Sequence, residues 1–247
     1  MTPKPDPLTQ QQGFALLFEQ ESARQLLAHG VHTLQGALYF SKVRDAVLTT
    51  LSIGVEKMLK VALGLRALDN AGTWPTKDEM RESWGHKIDA MDAELRSYLR
   101  TWAAAEGTNY VGTLIAAVDD DPVWPILART LDAYGRSGRF YYLDTLGSQP
   151  QEWESPSSMW DEAERACIEH HPDLRAGERE VVGTGPIDAF DAYLRDVHVR
   201  LADSVVGWWH MVVRAGMHGA LGPLGKAFGS DSGPGNALPP VTSRRIA

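Results

Sequence analysis

The sequence is short of cysteine, of long apolar runs and of positive charge, and each shortage excludes a class of protein. Cys167 is the single cysteine, so neither an internal disulfide nor a cysteine-based zinc cluster can form. No run of about 18 apolar residues is present that could span a bilayer. Because 24 Lys and Arg stand against 32 Asp and Glu, the net charge of -8 disfavours a protein that coats nucleic acid, but it permits a local basic site.

The first residues of the chain do not resemble a targeting segment. Residues 1–7 hold no apolar stretch behind a basic one, which is the pattern of a secretory signal or an anchor. A single cysteine also suits a reducing compartment. We therefore expect a cytoplasmic protein that has no membrane partner.

Hydrophobic periodicity is helical along most of the chain and predicts an all-α fold. The clearest stripe covers residues 45–65, where apolar side chains recur at steps of three and four. A second stripe follows Pro186 and continues for nearly seven turns, to about residue 217. Earlier in the chain, two shorter patterns on either side of Gly30 predict antiparallel neighbours. The sequence thus predicts a bundle of about seven helices. Two of them, at residues 45–65 and 186–217, form its central pair.

Local signals predict where several helices begin. Thr76 and Glu79 form the spacing of a capping box, and Gly85 is expected to interrupt or bend the helix that follows. Asp121-Pro122 and Ser155-Pro156 each read as an N-cap with proline at the first helical position.

Composition divides the chain into three parts. We predict a flexible N-terminus over residues 1–12 and a single helical-bundle domain over 13–219. After Gly219 the chain is rich in Gly, Pro, Ser and Ala, and such a segment buries little apolar surface. Residues 220–247 are therefore predicted to be a flexible tail.

One motif is more distinctive than the rest. A helix that carries Glu56, Lys57 and Lys60 is followed by a second helix that opens with Gly85 and His86. This arrangement resembles the HEPN family of bacterial and archaeal helical domains, over residues 45–100. The resemblance implies a HEPN-like helical core that often dimerises, a role in stress or phage defence, and in some branches a metal-independent endoribonuclease. In those branches an Arg and a His, separated by four to six residues, meet at the dimer seam.

Arg81 and His86 have the spacing that the resemblance implies for a catalytic pair. A neutral histidine can take the proton of a ribose 2′-OH, and an arginine can stabilise the negative charge that develops at phosphorus. The family usually carries its motif on a late helix, where Arg214 and His218 have only three residues between them. The spacing recurs elsewhere in the chain, at Arg24 with His29 and at Arg165 with His170 or His171.

A basic and aromatic segment adds candidate RNA contacts. Arg136 and Arg139 with Tyr141 and Tyr142 can hold phosphates and stack bases, and we group Lys57 and Lys60 with them as nucleic-acid-binding residues. Each residue also has a structural interpretation. Glu56 and Lys60 are spaced as a solvated helix pair, His86 can cap a helix, and the aromatic segment can anchor a loop.

Two other classes of site receive less support. The run from Glu169 to Asp173 clusters potential ligands, but consecutive residues at a helix end rarely converge on one ion, so no metal is predicted. No glycine-rich loop or nucleophile motif indicates a cofactor. The leading hypothesis is an RNA-binding or RNA-cleaving protein that forms a homodimer. The alternative is a non-enzymatic helical module that binds a protein partner.

Overall fold

The computed structural model describes residues 8–107, 109–152, 154–181 and 186–237. Within these ranges the chain is helical, with no β-strand, which confirms the all-α class. The α-helices are α1 Gln10–Gly36, α2 Arg44–Ala71, α3 Lys77–Ser83, α4 Ile88–Glu106, α5 Asn109–Asp119, α6 Trp124–Arg136, α7 Tyr141–Leu146, α8 Pro156–His170, α9 Pro172–Val181, α10 Ile187–Met217 and α11 Gly222–Asp231.

The helices described outnumber the seven that the sequence predicted. Helices α7, α9 and α11 contain 6, 10 and 10 residues, which is shorter than the window over which an apolar stripe can be recognised. No described helix is long and apolar enough to cross a bilayer.

Helices α2 and α10 are the two centres of packing. Helix α2 packs against α1, α4, α6 and α11, and α10 packs against α1, α5, α8, α9 and α11. Helices α1 and α11 therefore each contact both α2 and α10, the two helices predicted to form the centre of the bundle. The largest side chains of the core are buried tryptophans, namely Trp124, Trp160, Trp208 and Trp209.

The predicted break near Gly30 is wrong, because α1 runs through it as one helix of 27 residues. Gly30 is buried against α2, where a Cβ would lie 2.6 Å from Leu51 Cδ2. Gly54 of α2 faces α1 in turn, and a Cβ there would lie 3.0 Å from the backbone nitrogen of Leu27. The two glycines let α1 and α2 approach closely, so Gly30 serves packing and not a turn.

The predicted N-terminal caps are confirmed at α3 and α8, whereas α6 begins at a later residue than predicted. Thr76 accepts from the backbone of Glu79 as a capping box, and Ser155 accepts from the backbone of Ser158 at the start of α8. Helix α6 begins at Trp124, later than predicted, because Asp121 accepts a hydrogen bond from the backbone of Val123 in a turn that precedes the helix.

The predicted boundaries of the flexible ends differ from the structure. Helix α1 already begins at Gln10, capped by Thr9. At the other end, α11 packs on α10, so residues 222–231 are not a free tail. A Cβ at Gly229 would lie 2.3 Å from the backbone oxygen of Val213, and Phe228 is fully buried. The glycines that suggested disorder permit contact between two helix backbones. Residues 238–247 of the predicted tail lie outside the described residues.

Candidate functional site

Helix α2 and the turn before α4 bring Glu56 and His86 together. His86 Nδ1 lies 3.0 and 3.1 Å from the two carboxylate oxygens of Glu56. A carboxylate can only accept, so the hydrogen-bond network assigns a proton to Nδ1. In the neutral ring, Nε2 then holds a lone pair that is free to accept a proton.

The break between α3 and α4 positions His86. Gly85 adopts a positive φ of 50°, which ends the helical path of α3. Trp84 before it and Ile88 after it are buried and fix the turn on both sides. At the start of α4, the backbone nitrogen of Asp89 donates to Asp132 Oδ1 at 3.4 Å. His86 itself is exposed, with 66% of its side chain accessible.

Glu56 orients the histidine and is itself held in place. Its side chain is 17% exposed, and Oε1 accepts a hydrogen bond of 2.7 Å from Lys60 Nζ. The carboxylate thus lies between Lys60 and His86. The Glu56 and Lys60 pair that the sequence predicted is present, with the histidine as an additional member.

A cleft of about 180 Å³ opens beside this pair. Lys57 and Arg139 line it together with His86, and Thr49, Ser52 and Tyr134 contribute hydroxyl groups. Lys57 Nζ lies 2.5 Å from Glu19 Oε2 of α1. Three cations, Lys57, Lys60 and Arg139, therefore face two carboxylates, Glu19 and Glu56, in a chain whose net charge is -8.

Arg139 differs from the two lysines. Its guanidinium lies over the ring of Phe140, with 5.1 Å between the Cζ atom and the ring centroid. Among the residues that the structure describes, it has no hydrogen bond and no ion pair, so its charge is available to a bound anion.

The structure does not bring Arg81 into the cleft. Its side chain is 69% exposed and lies 3.2 Å from Asp78 Oδ1, on the outer side of α3. Arg214 and His218, at the C-terminal end of α10, also lie outside the cleft. Arg214 donates to Met217 Sδ, and the His218 ring packs on Tyr110.

The remaining predicted RNA contacts lie in other places. Arg136 pairs with Asp132 at 2.8 Å in a neighbouring groove between α6 and α8. Burial raises the pKa of Asp132, and Arg136 opposes that rise. The Tyr142 hydroxyl lies 3.1 Å from Ser157 Oγ, and the Tyr141 ring meets that of Tyr142 edge-on. Of the predicted set, only Lys57 and Arg139 share the cleft with His86, while Lys60 reaches it through Glu56.

The hydroxyl groups that line the cleft, those of Thr49, Ser52 and Tyr134, were not predicted from the sequence. Thr49, Ser52 and Glu56 follow at helical steps of three and four along one edge of α2. That polar edge next to the apolar stripe is a signal that could have identified them. Tyr134 comes from α6, and its contact with Thr49, 3.2 Å between the hydroxyl oxygens, depends on the tertiary fold.

Comparisons with known proteins do not identify the chain. No family model, no curated protein and no solved structure matches it. The proposed function therefore rests on the geometry of the cleft. Within the described ranges, no three His, Cys, Asp or Glu side chains are close enough together to hold a metal ion.

Proposed function

We propose that the protein cleaves RNA in the His86 cleft without a metal ion. The proposal is supported by the guanidinium of Arg139, which has no hydrogen bond or ion pair among the described residues and shares the cleft with a histidine that a carboxylate orients. A general base beside a free cation is the combination that transfer at a phosphodiester requires. The HEPN-like core, the homodimer and the role in stress or phage defence belong to the same proposal.

His86 acts as the general base in the proposed reaction. Nε2 takes the proton of a ribose 2′-OH, and the freed oxygen attacks the adjacent phosphorus. The bond from phosphorus to the 5′-oxygen breaks, that oxygen takes a proton from water, and a 2′,3′-cyclic phosphate remains. Glu56 stabilises the imidazolium that forms, because its carboxylate already accepts from Nδ1.

Arg139 and Lys57 stabilise the negative charge that grows on the phosphoryl oxygens. Arg139 needs no rearrangement to meet an anion, since it has no competing carboxylate among the described residues. Lys57 is shared with Glu19, so its contribution is smaller. In this proposal, Arg139 replaces Arg81 as the charge-stabilising arginine.

The test is cleavage of a mixed RNA pool in EDTA by the purified protein. We expect cleavage that His86→Ala lowers by at least about 100-fold and Arg139→Ala by a similar factor. His32→Ala, at an exposed position of α1, is the matched histidine control and should stay fully active. Arg81→Ala separates the two arginines, because its loss of activity with Arg139→Ala unaffected would return the role to Arg81. Absence of cleavage at high protein concentration contradicts the proposal.

A second candidate function is a protein-interaction module, and the surface of α1 favours it. Phe14, Leu17 and Phe18 are 54%, 53% and 73% exposed, although their spacing places them on one helix face. The partner we propose for this face is a second copy of the chain, so the RNA-cleavage assay, and not the dimer itself, separates this candidate from the first. Light scattering should then give twice the 27.2 kDa mass for the native protein and the single mass for Phe18→Glu. A native monomer contradicts this candidate.

A further inference from the structure

A second groove, of about 450 Å³, lies on the surface formed by α5, α10 and the junction of α8 with α9. Its walls are mostly apolar, with Leu114 and Val118 from α5, Val206 from α10 and Trp208 at its base. This volume falls in the range of small-molecule sites. Neither the predicted RNA contacts nor the His86 cleft includes any of these residues.

Three ionisable side chains of the lining have no hydrogen bond or ion pair among the described residues. Burial raises the pKa of one of them, Asp203, and the nearby Arg200 and His171 oppose that rise. Within the described ranges, Asp203, His171 and His210 line the groove, and none of these side chains forms a hydrogen bond or an ion pair at salt-bridge distance. Burial lowers the pKa of both histidines, so both rings are neutral at pH 7 and each keeps one nitrogen as an acceptor.

The charge of the groove is negative at neutral pH. Asp121 is a second carboxylate in the lining, and it accepts from Ser204 and from the backbone of Val123. Arg200 is the single arginine of the lining, but its guanidinium lies 3.1 Å from Asp173 on α9, which offsets its charge. Among the described residues, Asp203 is therefore the carboxylate of the lining that has no hydrogen bond or ion pair, and a cation is the ligand charge that suits it.

Gly207 of α10 supplies an independent observation. A glycine in the middle of a helix is unfavourable, and the usual reason to keep one is a close neighbour. A Cβ at Gly207 would meet nothing within 4 Å, and Gly207 lines the groove one turn after Asp203. No described atom packs against Gly207, so the space that a side chain would fill is part of the groove.

We propose that this groove binds a small organic cation with an apolar body, such as an aralkylamine. The ammonium group pairs with Asp203, and the imidazole of His171 in the same lining is a second acceptor. The apolar part lies in the space that Gly207 leaves open, against α5 and Trp208. A metal ion does not fit, because no three ligating side chains converge among the described residues.

Calorimetric titration of the full chain with phenethylamine at pH 7 tests the proposal. We expect saturable binding to one site, and at least tenfold weaker binding of 3-phenylpropionate, which has the same ring but a carboxylate. Asp203→Asn should weaken the amine at least tenfold, whereas Asp196→Asn, on the same helix but outside the groove lining, should not change it.

Gly207→Leu fills the groove and should abolish binding without lowering the melting temperature. Gly13→Leu is its control, since Gly13 is also helical and has no atom near its Cβ position. Absence of saturable binding, equal affinity for the two probes, or unchanged binding in Gly207→Leu each overturns the proposal. RNA cleavage plays no part in these readouts, so their failure leaves the proposed function untouched.

Discussion

Trp124 and Trp208 stack with 4.7 Å between their ring centroids, and both indole N–H groups donate to the carboxylate of Asp92. The two bonds measure 3.0 and 2.7 Å, and Arg96 Nε adds a third at 2.9 Å. Asp92 is buried, so a single carboxylate of α4 connects α6 and α10 inside the core. This polar cluster links three helices in one specific arrangement.

Removal of the carboxylate should destabilise the fold strongly. We expect Asp92→Ala to lower the free energy of unfolding by about 3–5 kcal/mol, because two buried indole donors lose their acceptor and Arg96 keeps only its pairing with Asp119. Asp92→Asn should cost less, since one amide oxygen can still accept. Urea unfolding measures both, with Asp78→Ala, exposed on α3, as the control. A loss below about 1 kcal/mol for Asp92→Ala would show that water replaces the acceptor.

The close contact of α1 and α2 predicts opposite effects for two glycines. Gly30→Ala should destabilise by about 1–3 kcal/mol, because its Cβ would press on Leu51 in a packed core. Gly13→Ala, in open space on the same helix, should stabilise by about 0.5–1 kcal/mol through helix propensity alone. Thermal unfolding of both variants checks the pair. Equal shifts would mean that α1 and α2 adjust their spacing freely.

The single cysteine should be unreactive in the native protein. Burial, together with a smaller effect of nearby Asp121, raises the pKa of the Cys167 thiol to about 12. The thiolate is the reactive form, so at pH 8 the native chain should resist DTNB over the time in which the chain in 8 M urea reacts fully. Rapid labelling of the native chain would indicate that α8 opens locally.

His210 should make the fold less stable in mild acid. Burial, and secondly Arg214, lowers the pKa of His210 in the folded state. The unfolded chain therefore binds a proton more readily, and stability is lost as the pH falls through the ordinary histidine value of about 6.5. Between pH 7 and pH 5, His210→Gln should lose less stability than the native chain.

His32→Gln is the control for this measurement, because His32 is exposed on α1. Denaturant titrations at the two pH values give the comparison. If His210→Gln and His32→Gln follow the same pH dependence as the native chain, burial of His210 does not affect stability.

Features that depend on neighbours in sequence were predictable. The capping box of Thr76 and Glu79 and the N-cap at Ser155 involve atoms within four residues, so their spacing alone identifies them. The start of α2 and both ends of α10 were close to prediction, since apolar periodicity is repeated over many turns, whereas α2 ends at Ala71, six residues beyond the predicted stripe.

Features that depend on a distant partner were not predictable. Gly30 and Gly229 have the same local signature as a turn or a tail glycine, and only the helix that packs on them shows their role. Arg139 and His86 lie 53 residues apart in the sequence and share a cleft because α4 and α6 pack on the same helix, α2. Spacing within one segment instead pointed to Arg81, which the fold directs outward.

The attachment of α11 affects the order in which this chain can fold during synthesis. The indole of Trp209 donates to the backbone oxygen of Ser232, and Phe228 fills the space beside α10. Until the ribosome has released residue 232, the apolar surface of α10 around Trp209 lacks the cover that α11 and Ser232 provide. A nascent chain paused before that point exposes this surface to chaperones, so the packing around α10 is completed only after α11 has left the ribosome.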